Sequence, residues 1–203
     1  MPGPTRLAVL LSGSGSTLQN LIDRTADGRL PATIVGVVSS RADAFGVERA
    51  RRAGIPAVVE PPKPRETFSD RVFAAVRGWQ PDLVVLAGWM HLIGIPPEYR
   101  GKVLNVHPAL LPAFGGKGMY GRHVHEAVLA YGAKVSGFTV HFVDDVYDNG
   151  PVILQRPVPV LDADTPDTLA ERVQAAEREA YPEAIRLIAE GKWRLEGRRV
   201  LFV

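Results

Sequence analysis

Residues 7–18, Leu7-Ala8-Val9-Leu10-Leu11-Ser12-Gly13-Ser14-Gly15-Ser16-Thr17-Leu18, decide how the chain is read. Leu7 to Leu11 is an unbroken apolar run, the pattern of a strand covered on both faces. A glycine–serine turn follows, and Leu18 to Arg24 opens a helix. Strand, tight turn and helix are the opening of a βαβ unit, so this stretch predicts a parallel sheet covered by helices. The rhythm continues outward. Thr33–Ser39 reads as a second strand, Ala44–Ala53 as a helix stopped by Gly54, and Ile55–Val59 as a short third strand. Thr67–Trp79 carries Phe68, Val72, Ala75 and Val76 at helical spacing. Leu83–Leu86 and Val103–Val106 are central strands by their unbroken apolar character.

The second half is more mixed. His123–Tyr131 is predicted helical and Val135–Val143 a long strand. Val152–Val160 is a further strand whose prolines suggest an edge position. Asp162 to Glu190 holds a capped helix, Thr165–Arg178, with a continuation past Pro182. A hairpin of Trp193–Leu195 and Val200–Phe202 around Gly197 follows. One α/β domain over 1–203 is expected.

Composition narrows the function classes. The chain is 46% hydrophobic and 23% charged, which excludes disorder, collagen-like repeats and coiled coil. No apolar run approaches the roughly 18–20 residues of a membrane span, and no export signal is expected. With no cysteine there is neither disulfide, thiolate metal site nor thiol nucleophile. A formal charge of +2 is too slight to argue for nucleic acid.

Three stretches could carry chemistry. In Ser12 to Thr17, glycines allow close backbone approach, and N–H groups at a helix start favour an anion such as phosphate. A tight turn with a helix cap has the same pattern. A dinucleotide site is disfavoured, because the third glycine is missing and Ser39, Ser40 and Arg41 stand where an acidic residue would end the second strand. In Asn105-Val106-His107-Pro108, Asn105 and His107 alternate onto one face at a strand's C-terminal end. A carboxamide donor beside an imidazole suits a reaction in which an oxygen gains charge while a proton moves. Such residues also serve simply to bond a loop. Asp148-Asn149-Gly150-Pro151 is a turn signal, so Asp148 reads in isolation as a turn residue.

Taken together, Gly13-Ser14-Gly15-Ser16-Thr17-Leu18-Gln19, Asn105 to Pro112, His141-Phe142-Val143 and Asp148 to Ile153 resemble the phosphoribosylglycinamide formyltransferases, a branch of the folate-dependent formyltransferases. The resemblance extends from about Arg6 to Gly191. It implies a Rossmann-like formyltransferase fold, a mostly parallel twisted sheet with helices on both faces. It implies formyl transfer from 10-formyltetrahydrofolate to the amine of glycinamide ribonucleotide, in de novo purine synthesis, with no metal required. Asn105, His107 and Asp148 would form the catalytic trio, with Asn105 and Asp148 also facing the folate. Gly15, Ser16 and Thr17 would hold the ribonucleotide phosphate, and Glu177 would contact the same substrate. Arg65 matches a folate-contacting arginine, and Met90, His91, Leu92 and Ile93 match the pterin-binding stretch, which usually carries Arg in place of His91. Phe114 to Arg122 is longer and richer in glycine than in several members. His125 stands as a substrate-loop contact, and His123 has no assigned role.

The expected partners are small molecules, without nucleic acid or membrane, in a cytoplasmic monomer or homodimer. Competing readings are a formyltetrahydrofolate deformylase, which usually has an N-terminal regulatory domain, and methionyl-tRNA formyltransferase, which needs a further C-terminal domain. A non-catalytic nucleotide-binding module would use the Ser12–Thr17 loop but would not need Asn105, His107 and Asp148 to converge.

Overall fold

β1 (Thr5–Leu11) is buried completely from Leu7 onward, as its apolar run requires. It ends at Leu11, and α1 (Ser16–Ala26) begins five residues later with Leu18 and Leu21 turned inward. The computed structural model describes residues 3–203 and holds two compact units, the first ending at Leu104 and the second starting at Asn105. In the first unit β2 (Ala32–Ser39), α2 (Phe45–Arg52), β3 (Ala57–Val59), α3 (Phe68–Trp79) and β4 (Leu83–Leu86) complete the alternation. Its strand order is β3-β2-β1-β4, and every pair is parallel. With Leu83 to Leu86 and Val37 to Val38 buried, both faces of the sheet are covered, which is why these strands read as unbroken apolar runs. α1 and α2 pack on each other and on β2, and α3 packs on β2.

β5 (Val103–His107) leads into the second unit, where α4 (Arg122–Tyr131), β6 (Val135–Phe142), β7 (Val152–Pro159), α5 (Pro166–Ala189), β8 (Trp193–Glu196) and β9 (Arg199–Phe202) follow. The strand order is β5-β6-β7-β9-β8, with β6 antiparallel to β7 and β8 antiparallel to β9. The expected edge position of Val152–Val160 needs correcting, because β7 lies between β6 and β9. β9 touches it only at Val152↔Arg199, so Pro157 and Pro159 stand beyond that contact and pair with β6 alone. A proline can occupy a strand there because no second neighbour needs its missing N–H.

α5 runs unbroken through Pro182. Thr165 caps it reciprocally: the Thr168 N–H donates to Thr165 Oγ1, and the Thr165 N–H to Thr168 Oγ1. An interior proline costs about 3 kcal/mol. Burial of Tyr181, Ile185 and Ile188 around it, at about 1.5–3 kcal/mol each, offsets that cost. α5 packs on β6 and β7 and against α4. No helix among the described residues is long and apolar enough to cross a membrane.

Candidate active site

β5 delivers Asn105 half-buried and His107 buried, two residues apart. Asp148 arrives from the turn between β6 and β7, whose path is fixed locally. Asp144 accepts from the Val146 N–H at 2.9 Å and from Asn149 Nδ2 at 2.8 Å. Gly150 then passes so close to β6 that a Cβ there would lie 1.8 Å from the Phe142 carbonyl oxygen. Asp148 itself adopts the left-handed conformation, φ 51°, which an aspartate tolerates better than most residues. Asp148 is thus a turn residue, as its sequence context reads, and the turn carries its carboxylate to the His107 ring.

Asp148 Oδ2 lies 3.4 Å from His107 Nδ1, with the two side chains 11% and 4% exposed. The same oxygen accepts the Gly116 N–H at 2.9 Å. On the other side of the ring, His107 Nε2 bonds the Phe114 carbonyl at 2.8 Å. Both imidazole nitrogens thus face oxygen atoms. The loop that starts at Phe114, without a role in the sequence reading, grips both members of this pair through its backbone.

His141 also belongs here, and sequence reasoning had quoted it only as part of a motif. Its Nδ1 donates to the Phe142 carbonyl at 2.7 Å, which leaves Nε2 to accept from Asn105 Nδ2 at 3.1 Å. Burial lowers its pKa, against the opposing effects of the Phe142 carbonyl and the Asp148 charge, in keeping with that neutral tautomer. One amide hydrogen of Asn105 is anchored in this way, which fixes the direction of the other. Asp148 Oδ1 stands 3.8 Å from His141 Nε2. The signal for His141 was the polar alternation Thr139-x-His141 in the mainly apolar second half of β6, the neighbour of β5. Thr139 is structural: it donates to the Ala109 carbonyl at 2.7 Å and accepts from the Leu111 N–H at 2.9 Å. Gln155 donates to both Thr139 Oγ1 and the Leu111 carbonyl, so the chain after His107 is held in place before its cis Leu111–Pro112 bond.

Two further groups lie in the second unit. His125 is buried on α4, its Nδ1 has no hydrogen-bond partner among the described residues, and burial followed by the His107 charge lowers its pKa. Glu177 on α5 is half-buried, and desolvation pushes its carboxyl up to about 7.

The remaining sequence candidates belong to the first unit. Gly15 sits at the N-cap of α1 with φ 70°, and no side chain caps the helix. The first-turn N–H groups are therefore not taken up by a capping side chain among the described residues. Ser16 is exposed and Thr17 half-buried at this turn. Ser12 Oγ receives the Ser40 hydroxyl at 2.8 Å and the Met90 N–H at 3.1 Å, tying the glycine loop to the Met90–Ile93 stretch. Met90 is exposed, His91 and Leu92 half-buried and Ile93 buried. Phe68 stacks on Trp89 at 5.6 Å, and His91 meets both rings edge-on. Burial, then the Arg65 charge, lowers the His91 pKa. Arg65 is exposed, in a segment held by Arg71, which donates to Glu60, Thr67 and the carbonyls of Pro61, Lys63 and Pro64.

Comparison with known proteins gives the constellation a context. The formyl transferase family model matches residues 5–185. The chloroplastic phosphoribosylglycinamide formyltransferase of Arabidopsis thaliana is 41% identical, over 97% of this chain and 70% of that protein. The phosphoribosylglycinamide formyltransferase of Escherichia coli K12 is 39% identical, over 93% of this chain and 89% of its own length. The chain spans only 14–20% of the trifunctional animal proteins it also matches. Among solved structures, glycinamide ribonucleotide transformylase 1 from Symbiobacterium toebii superposes with a TM-score of 0.91 at 44% identity, covering 98% of this chain and 94% of that one. A solved formyltetrahydrofolate deformylase shares the fold at 25% identity. A match this long and this even, over both units that carry the Asn–His–Asp site and the glycine loop, places the chain in the formyl transferase family, among its phosphoribosylglycinamide formyltransferases.

Proposed function

We propose that this chain transfers the formyl group of 10-formyltetrahydrofolate to the amine of glycinamide ribonucleotide, giving formylglycinamide ribonucleotide and tetrahydrofolate. The observation that carries the reading is that Asp148 lies 3.4 Å from His107 and 3.8 Å from His141, the partner of Asn105, although 41 residues separate His107 from Asp148. A pure binding module has no use for that convergence.

The chemistry asks three things of the chain. As the amine attacks the formyl carbon, the carbonyl oxygen gains charge; the free amide hydrogen of Asn105 donates to it, and the His107 ring does so once its Nε2 exchanges the Phe114 carbonyl for the substrate oxygen. The carbon–nitrogen bond to the folate then breaks while the amine loses a proton. Asp148 takes that proton, directly or through one water, and passes it to the folate nitrogen as that nitrogen leaves. Asp148 also orients the His107 ring through Nδ1, and His141 orients the Asn105 amide. The co-substrate supplies the activated formyl group, so the residues only bind, orient and move one proton.

Substrate contacts form part of the same proposal. Gly15, Ser16 and Thr17 bind the phosphate through N–H groups at the start of α1, where the helix dipole favours negative charge. Glu177 contacts the ribonucleotide. Arg65 and Met90 to Ile93 take the folate, Arg65 through a tail carboxylate near solvent. The N-terminal half thereby serves anion binding and the C-terminal half catalysis, in a cytoplasmic monomer or homodimer. The test is a spectrophotometric formyl-transfer assay with both substrates, run beside a control lacking the ribonucleotide. Turnover only in the complete mixture supports the reading. Equal folate turnover in the control identifies a deformylase, and no turnover identifies a binder.

A further inference from the structure

The glycine loop is held from outside by a helix some 30 residues away. α2 packs with its first turn directly against it: the Gly46 N–H donates to the Gly13 carbonyl at 3.1 Å, and Arg49 Nε donates to the Ser14 carbonyl at 2.9 Å. Gly15 lies so close that a Cβ on it would stand 2.6 Å from Gly46 Cα. Arg49 is itself fixed at both ends of its guanidinium, because Nη1 donates to Gln19 Oε1 on α1 at 2.9 Å while the group lies over the Phe45 ring at 4.9 Å.

In a trans peptide the C=O and the following N–H point in opposite directions. A donor that draws the Ser14 carbonyl toward α2 therefore turns the Gly15 N–H away from α2. The Gly46 bond does the same for the Ser14 N–H. Donors aimed outward from an open helix start are what an anion needs.

We propose that Arg49 is a positioning residue for ribonucleotide binding: it fixes the Ser14–Gly15 peptide so that its N–H faces the substrate phosphate. Arg49 acts through the loop and makes no contact with the reacting atoms. The inference rests on the phosphate-loop reading above, and its test separates the two.

The experiment compares steady-state KM values for both substrates, and inhibition by inorganic phosphate competing with the ribonucleotide, in the wild type, Arg49→Ala, Arg49→Lys and Gly15→Val. Arg49→Ala should raise the ribonucleotide KM and the phosphate inhibition constant together, by about tenfold, the scale of one charge-assisted hydrogen bond. Folate KM and kcat at saturation should change less than about twofold. Arg49→Lys can reach the Ser14 carbonyl but cannot also bond Gln19, so it should fall between the two and should fold even where the alanine variant does not. Equal rises in both KM values, or an unchanged ribonucleotide KM in both Arg49 variants, overturns the inference. If Gly15→Val also spares the ribonucleotide KM, the phosphate-loop reading falls with it. If Gly15→Val raises that KM and the Arg49 variants do not, only the role of Arg49 falls.

Discussion

Replacing Asp148 by asparagine keeps the shape of the side chain and removes its charge. Asp148 Oδ2 stands 3.4 Å from His107 Nδ1, and neither side chain is more than 11% exposed. At an effective dielectric constant of about 20, a unit charge pair at that distance is worth about 5 kcal/mol. That is the ceiling on what the carboxylate gives a charged His107 ring. An asparagine keeps part of it, since its carbonyl oxygen can still accept from Gly116 or from the ring, but it cannot take a proton from the amine. A loss of kcat of about 10² to 10³ follows, or about 2.7 to 4 kcal/mol, which lies inside that ceiling. Binding of both substrates should change little, because the loop backbone remains bonded to His107 through Phe114. Steady-state kinetics with calorimetric titration of each substrate measures both halves. An Asp148→Asn enzyme with wild-type kcat would refute the proton-transfer role. Loss of folate binding in step with kcat would instead place Asp148 in binding alone.

Other perturbations test other links. His141→Phe frees the Asn105 amide to rotate and should lower kcat by about tenfold to 10², less than the roughly 10² to 10³ of Asn105→Ala, in the same assay. Because the two residues share one hydrogen bond, the double variant should be little worse than Asn105→Ala; full additivity counts against the coupling. Gly150→Ala should fail to fold or lose several kcal/mol, since its Cβ would overlap the Phe142 carbonyl; denaturant melts check this. The Glu177 carboxyl is raised to about 7, so between its unfolded value near 4.5 and that point the folded state holds more protons, and stability falls as pH rises across this window. Glu177→Gln should flatten that slope in chemical denaturation at pH 5 and pH 8, and should raise the ribonucleotide KM.

The parts of this fold that were legible from sequence are those whose physics is local. Unbroken apolar runs at Leu7–Leu11 and Leu83–Leu86 are strands buried on both faces, and they were read at those places. The capping threonine at 165 marked the start of α5 as expected. The edge assignment of Val152–Val160 went wrong because proline reports only which stretch of a strand lacks a second partner. It says nothing of a partner that reaches the far end, as β9 does at Val152. At the site, alternation put Asn105 and His107 together, because two residues on one strand share a face whatever the fold does. Asp148 had no such local mark. Its place beside His107 comes from the register of β6 with β7 and from the tight passage of Gly150 under Phe142, so only the family resemblance could raise it above a turn residue.

His141 and Arg49 share a reason for having been passed over. In the proposed function neither meets the substrate; each fixes the direction of a donor that does. His141 takes one hydrogen of the Asn105 amide, and Arg49 takes the carbonyl of the Ser14–Gly15 peptide. Rotating an amide or a peptide costs little when nothing holds it, whereas charge on a developing oxyanion or a phosphate is stabilised only by donors already aimed. Positioning therefore has to come from somewhere, and in both units it comes from a neighbouring element rather than from the loop or strand that carries the donor. A sequence scan for chemical groups finds the donors first. The residues that aim them emerge only once hydrogen bonds across elements can be followed, which is where conservative substitutions such as Arg49→Lys separate an aimed donor from a merely present one.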